Sequence, residues 1–314
     1  SFSFAPESFL EPGGTLLLAS DQNPSAFQLR YPSVSVWGYF AGSLSNSGES
    51  LVLEDAIGKY VTGVYFEDQG AWAPSADGEG YSLEFQYAGG DNADPANWWQ
   101  SQGIGGSPGI YLSEDKPEGL VINEIVAANR TIEKAGGLFP DWIELENRSN
   151  STLNLKGYRL RDESGRSDYV FNQDTELQPM QRMVVWQSLA GSDGNEFSFG
   201  LDREGDTVVL LNPQGSRVDA VSFGRQLFDY SLSRGESNHW FLGEPSPGAP
   251  NMTAGTASLV DSLRINEIMA NPLPGEDDWL ELLNLNATLP LSLDGLHFRF
   301  NEHVVGLSPN SFLE

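Results

Sequence analysis

The chain has 314 residues, with 17 Lys and Arg against 44 Asp and Glu, for a formal charge of −27. That balance speaks against nucleic acid and anionic membrane surfaces as partners, since no basic run exists to displace phosphate counterions. With no Cys and only three His, at positions 239, 297 and 303, disulfides, thiolate metal sites and Cys nucleophiles are excluded, and a multi-histidine metal site is not expected. Apolar residues at 39% and aromatics at 11% are too abundant for a disordered acidic tail, and 34 Gly with 18 Pro imply many turns. No apolar run approaches the ~18 residues of a membrane helix, so no membrane insertion is expected. The first residues read Ser-Phe-Ser-Phe, without Met or a basic leader, which suggests a processed or internal start.

The predicted elements are strands. In chain order they include Thr15–Ala19, Ser50–Leu53, Tyr60–Phe66, Arg182–Trp186, Thr207–Leu211 and Arg217–Phe223. Each is short, rich in β-branched or aromatic residues, and bounded by Gly, Pro, Asn or Asp. Segments of this kind recur about every ten residues, the spacing of a sandwich or barrel. The best helical candidate is Asn123–Lys134. Its second copy carries Pro272 and Pro274, so it is read as strand then loop, and no amphipathic helix is expected.

Internal repetition organises the rest. Ile122-Asn123-Glu124-Ile125 recurs as Ile265-Asn266-Glu267-Ile268. Asp141-Trp142-Ile143-Glu144-Leu145 recurs as Asp278-Trp279-Leu280-Glu281-Leu282, and Leu155-Lys156-Gly157-Tyr158 as Leu293-Asp294-Gly295-Leu296. A second set links the start to the middle. Phe4, Leu10, Pro12 and Leu17 match Phe171, Leu177, Pro179 and Val184. Leu44–Gly58 matches Leu201–Gly215, Tyr81-Ser82-Leu83 matches Tyr230-Ser231-Leu232, and Ser107-Pro108-Gly109 matches Ser246-Pro247-Gly248. The expected organisation is the back half of a module at 1–109, a linker at 110–118, a whole module at 119–251, a linker at 252–262 and a front half at 263–314.

Taken in order and repeated, INEI, DWIEL with a following Asn, a Leu-x-Gly-aromatic strand, a Gly-Asp/Glu-x-Val-x-Leu strand and a closing Ser-Pro-Gly-Ala-Pro-Asn resemble the lamin tail domain, in its bacterial secreted or surface form. The resemblance implies tandem immunoglobulin-like β-sandwiches, all-β, without the immunoglobulin disulfide. It also implies a non-catalytic module of large secreted or surface proteins, found beside extracellular hydrolases.

The motif residues Asn123, Glu124, Asp141, Trp142 and Glu144, with their copies Asn266, Glu267, Asp278, Trp279 and Glu281, are read first as framework. Strand alternation sets Trp142 and Glu144 on one face and Ile143 and Leu145 on the other. Paired carboxylates can also serve acid–base chemistry in glycosidases, but these lie on presumed framework strands and no nucleophile elbow accompanies the His residues. Acidic loops supply calcium candidates at Asp91, Asp94, Asp193 and Asp277, none with EF-hand spacing and all compatible with ordinary solvated turns. No other cofactor is expected. Trp72, Trp98 and Trp99 are candidates for stacking on carbohydrate, although Trp240 in the whole module matches Trp98 and favours a structural part. Asn129, Asn147, Asn150, Asn251 and Asn286 head glycosylation sequons.

Half a sandwich cannot bury its faces and exposes sheet edges. The two terminal halves are complementary and overlap, Leu307–Glu314 (LSPNSFLE) matching Phe4–Glu11 (FAPESFLE). Phe4, Phe9, Leu10, Leu307, Phe312 and Leu313 are therefore the candidates for completing one module with another. Three arrangements remain open: a window from a longer array, completion between neighbouring chains into a fibre, and closure within one chain. The expected function is a non-enzymatic structural or adhesive repeat, extracellular or on a cell surface, whose partners are copies of itself or adjacent repeats. The alternative is an accessory substrate- or cell-wall-binding module of a larger extracellular hydrolase.

Overall fold

The computed structural model describes residues 1–68, 72, 76–85, 92, 95–101, 104–110, 119–162, 168–189, 196–215, 217–235, 239–273, 275, 277–294, 296–300 and 303–314. Among the described residues the chain is nearly all-β, 39% strand and 5% helix. It divides into two compact units, residues 1–88 with 98–114, and residues 89–97 with 115–314. Among the described residues no helix is long and apolar enough to cross a membrane.

The first unit holds β1 (Leu18–Ser20), α1 (Pro24–Arg30), β2 (Gly38–Phe40), β3 (Glu49–Glu54), β4 (Tyr60–Phe66), β5 (Leu83–Phe85) and β6 (Trp98–Gln100). These strands form three separate two-stranded sheets, β1 parallel to β2, and β3–β4 and β5–β6 antiparallel. The helix α1 was not expected from periodicity. Seven residues are too few to show an apolar stripe, and α1 has no buried residue. Its start signal is local: Pro24 opens the first turn, and Asn23 Oδ1 accepts the Ala26 N–H at 3.1 Å.

The second unit opens with β7 (Leu120–Val126), β8 (Trp142–Asn147), β9 (Leu153–Asn154), β10 (Arg159–Asp162), β11 (Asp168–Val170), β12 (Glu176–Leu177) and β13 (Arg182–Gln187). It continues with β14 (Glu196–Phe197), β15 (Asp206–Leu211), β16 (Arg217–Phe223), β17 (Ser231–Arg234), β18 (Trp240–Glu244) and β19 (Met252–Thr253). A seven-stranded sheet in the order β14-β13-β8-β7-β17-β18-β19 and a four-stranded sheet in the order β11-β10-β15-β16 both contribute to one buried apolar core, with Ile122, Ile143, Leu145 and Val185 from the first and Leu160, Val208 and Val221 from the second.

A bulge explains the INEI motif. The β7–β8 register slips between Ile122 and Glu124, so Asn123 is the extra residue. The slip lets two Ile residues three positions apart enter the same core, where strict alternation would turn one outward. Ile143 and Leu145 join that core, while Trp142 packs against Trp186, ring centroids 6.0 Å apart.

After α2 (Leu259–Ser262) come β20 (Leu263–Met269), β21 (Trp279–Asn284), β22 (Leu291–Ser292), β23 (His297–Phe300), β24 (His303–Gly306) and β25 (Phe312–Leu313). They pair as β20–β21, β22–β25 and β23–β24. The sequence repeats reappear here as repeated registers. β20–β21 slips between Ile265 and Glu267, as β7–β8 does at the matching step. β22–β25 sets Leu291 opposite Leu313 as β9–β12 sets Leu153 opposite Leu177. In the first unit, β3–β4 has its bulge at Leu53/Glu54, matching Leu210/Leu211 in β15–β16.

The surroundings differ sharply. Ile122 and Ile125 are buried, whereas Ile265 and Ile268 are 56% and 65% exposed. Trp142 is buried, whereas Trp279 is 45% exposed. The same local sequence thus makes the same hairpin twice, and only one copy is covered.

The end of the chain is anchored within its own unit. Phe312 lies in the core cluster that holds Phe223 and Leu227. The Gly224 N–H donates to Pro309 O (2.7 Å) and the Phe312 N–H to Arg225 O (2.9 Å). Asn310 Nδ2 donates to Ser222 O (2.8 Å), and Gln226 Nε2 donates to Asn310 O (2.7 Å). Asn310 adopts φ 50°, a left-handed conformation that Asn tolerates better than most residues. Of the completion candidates, Phe312 is buried in that core, and Phe312 and Leu313 pair with β22. Leu307 is half-buried, while Phe4, Phe9 and Leu10 are exposed.

Candidate functional site: a buried polar lock

The motifs converge on one network. β7 supplies Asn123 and Glu124, β8 supplies Glu144 and Glu146, and the return segment after β18 supplies Ser246, Gly248 and Asn251. Glu124 Oε1 accepts from the Ser246 N–H (3.1 Å), Ser246 Oγ (3.1 Å) and Ser233 Oγ (3.2 Å). Glu144 Oε1 accepts from Asn123 Nδ2 (2.8 Å), and its Oε2 accepts from the Gly248 N–H (2.5 Å). Asn251 ties the two sides together, donating to Asn123 O (3.0 Å) and Arg234 O (3.0 Å).

Two sets of ion pairs flank this network. Glu146 meets Arg148 Nε at 2.7 Å and Arg182 Nη2 at 2.5 Å. Asp219 meets Arg234 Nη2 at 2.7 Å, with side chains only 1% and 3% exposed. Arg234 Nε also donates to Ile122 O (2.7 Å), and the Ile122 N–H donates to Asp219 (2.7 Å). This pair therefore occupies both backbone groups of Ile122, just before the bulge, where regular pairing stops.

Burial pushes the acids up. Desolvation raises Glu144 to about 7 and Asp141 to about 6, against the hydrogen bonds from Gly248 and Asn129 respectively, and it raises Glu124 as well. A carboxyl whose folded pKa is raised binds its proton more tightly folded than unfolded. Stability then falls as pH rises from the ordinary 4.5 of Glu144 through about 7. For Glu144 alone this amounts to about 3 kcal/mol. The thermal midpoint of the second unit is expected to be higher at pH 5 than at pH 8, and Glu144→Gln to flatten that slope; equal slopes in a calorimetric pH series would refute the assignment.

Neither Glu124 nor Glu144 reaches solvent; Glu124 faces backbone and hydroxyl donors, and Glu144 faces a backbone N–H and the Asn123 amide. The arrangement is suited to fastening strands to the return segment rather than to meeting a substrate. Asp141 caps the preceding loop, between β7 and β8, by accepting the Asn129 N–H (3.0 Å). In the second copy Asn266 Nδ2 again donates to Glu281 Oε1, but Glu267, Asp278, Trp279 and Glu281 are exposed, no return segment covering them among the described residues.

Other sequence candidates fare variously. Asp277 is exposed, and Asp91, Asp94 and Asp193 lie outside the described residues. Among the described residues no group of three or more His, Asp or Glu is placed to hold a metal. Trp72 is buried and packs on Trp98, ring centroids 6.2 Å apart, so these two rings meet each other. Three sequon residues are structural: Asn129 Nδ2 donates to Pro140 O (2.7 Å), Asn147 Nδ2 to Leu177 O (2.8 Å), and Asn251 lies in the lock. Sequence reading missed Asp219, Arg234 and Arg182, and gave Asn251 as a sequon and the last residue of the closing motif without its place in this network. The recurrence of Ser-Pro-Gly and that closing motif were the signals that the return segment mattered.

The all-β second unit, with this bulged hairpin locked under a Ser-Pro-Gly turn, is consistent with an immunoglobulin-like sandwich. The family model of the lamin tail domain matches residues 113–225. No curated protein matches the chain.

Proposed function

We propose that this chain is a non-catalytic structural or adhesive module of a secreted or cell-surface protein, built from repeated lamin-tail-like sandwiches and joining to further copies of itself. The observation that carries this reading is the fate of the motif acids. In the complete sandwich Glu124 and Glu144 are fully buried and spent on backbone, hydroxyl and amide donors inside the lock. The acidic, cysteine-free composition suits an exported surface kept soluble by its charge. Modules that contact mainly their neighbours suit a stalk or filament.

Light scattering of the 1–314 chain over a concentration series, with negative-stain imaging of the same samples, tests it. Growth into linear particles is expected. A compact particle of constant mass at every concentration would count against self-assembly.

A further inference from the structure

Resting on that structural reading, we infer that the exposed β20–β21 hairpin of one copy inserts into the first unit of a second copy and completes its split sandwich. The complete sandwich states what such a hairpin needs. There β8 and β7 sit in the middle of a sheet, between β13 on one side and β17 on the other. The first unit carries the counterparts of those flanking strands, β1–β2 for β13–β14 and β5–β6 for β17–β18, as separate pairs. What lies between them in the complete sandwich is what β20–β21 supplies. The completed order is β2-β1-β21-β20-β5-β6.

The registers follow by correspondence. Ile125 lies opposite Leu232, which sets Ile268 opposite Leu83 of the other copy. Ile143 lies opposite Val185, which sets Leu280 opposite Leu18. The second sheet closes in the same way. β10 pairs with β15, with Leu160 opposite Leu210, which sets Phe298 of β23 opposite Leu53 of β3.

Three further observations support the fit. First, the first unit has an open cavity of about 470 Å³ lined by Leu51, Val64, Trp72, Leu83 and Trp98. Their counterparts Val208, Val221 and Leu232 belong to the core that receives Ile122 and Ile125. Second, the apolar residues offered are exposed: Ile265, Ile268, Trp279 and Leu280. Third, charges change together across the two halves. The ion pair of Glu146 with Arg182 joins the front half of the complete sandwich to its back half. At the chain ends Glu146 is replaced by Leu283 and Arg182 by Thr15, so neither leaves a buried charge without its partner. A charge mismatch remains at Glu84, which stands where Ser233 does and would face Glu267.

Cysteine crosslinking tests the register, because the chain has no Cys of its own. Leu83→Cys and Ile268→Cys are made in separate chains, mixed and oxidised. Directly opposed antiparallel residues lie within disulfide reach. A covalent dimer is expected, several-fold above the yield when Leu83→Cys is replaced by Ile57→Cys at an exposed turn. Leu18→Cys with Leu280→Cys is the second pair, on the neighbouring strands, and Glu84→Ser is expected to raise the yield of either. Absence of excess dimer from both pairs would overturn the inference. So would a chain carrying both Leu83→Cys and Ile268→Cys that oxidises only within itself. Scattering that grows without a crosslink would leave the structural reading standing and remove this interface alone. Absence of both growth and crosslink would remove both.

Discussion

Arg234→Ala is expected to destabilise the complete sandwich by about 3–5 kcal/mol. The guanidinium is buried, bonded to Asp219 at 2.7 Å and to Ile122 O at 2.7 Å, and stacked over Trp240 at 4.5 Å. Removing it leaves Asp219 as a buried carboxylate with only the Ile122 N–H, and strips Ile122 O of its donor. Hydrogen-exchange protection across β7 and β17 should fall accordingly. Replacing both charges, Arg234→Met with Asp219→Leu, should recover much of the loss, since a buried pair costs most when half of it is removed. Recovery will be incomplete because both Ile122 backbone groups lose their partners. If the single and double variants are equally unstable, the cost lies in packing around Trp240 and not in the orphaned charge.

The second large effect is a contrast between two tryptophans in the same motif. Trp142→Ala should cost about 3–5 kcal/mol, the usual price of emptying a buried aromatic site. Trp279→Ala in the dilute chain should fall within about 1 kcal/mol, because Trp279 is half exposed. Trp142→Phe should be much milder than Trp142→Ala, since the indole N–H of Trp142 has no hydrogen-bond partner among the described residues. Denaturant titrations of the three variants give the comparison. If the join between copies forms as inferred, the Trp279→Ala cost should grow with protein concentration, as Trp279 would then stand opposite Ala19 on β1 of its neighbour. A cost equal to that of Trp142→Ala in the dilute chain would mean that Trp279 is already covered within one chain.

Much of this architecture was legible before any coordinates. The strands from Tyr60 to Phe66 and Arg217 to Phe223 were marked by β-branched residues and bounding turns, and they form as β4 and β16. Strand alternation alone put Ile143 and Leu145 on one face, and those residues enter the core. The helix α1 was hidden because its signal is a single cap, Asn23, and not a period. The bulge at Asn123 was not legible either, since a two-for-one register depends on the partner strand.

The sequence by itself determined the all-β class, the repeated hairpins and the positions where the same residues would meet. These follow from local rules, alternation and turn chemistry, which act within a few residues and so repeat wherever the motif repeats. Only the tertiary structure decided which copy is buried. Asp219 reaches Ile122 across 97 residues and Ser246 reaches Glu124 across 122. No local pattern announces that Glu124 will be capped and Glu267 left in water. Burial is a property of what packs on a strand from elsewhere in the chain, and that depends on the return segment, which the second hairpin does not have within the residues described.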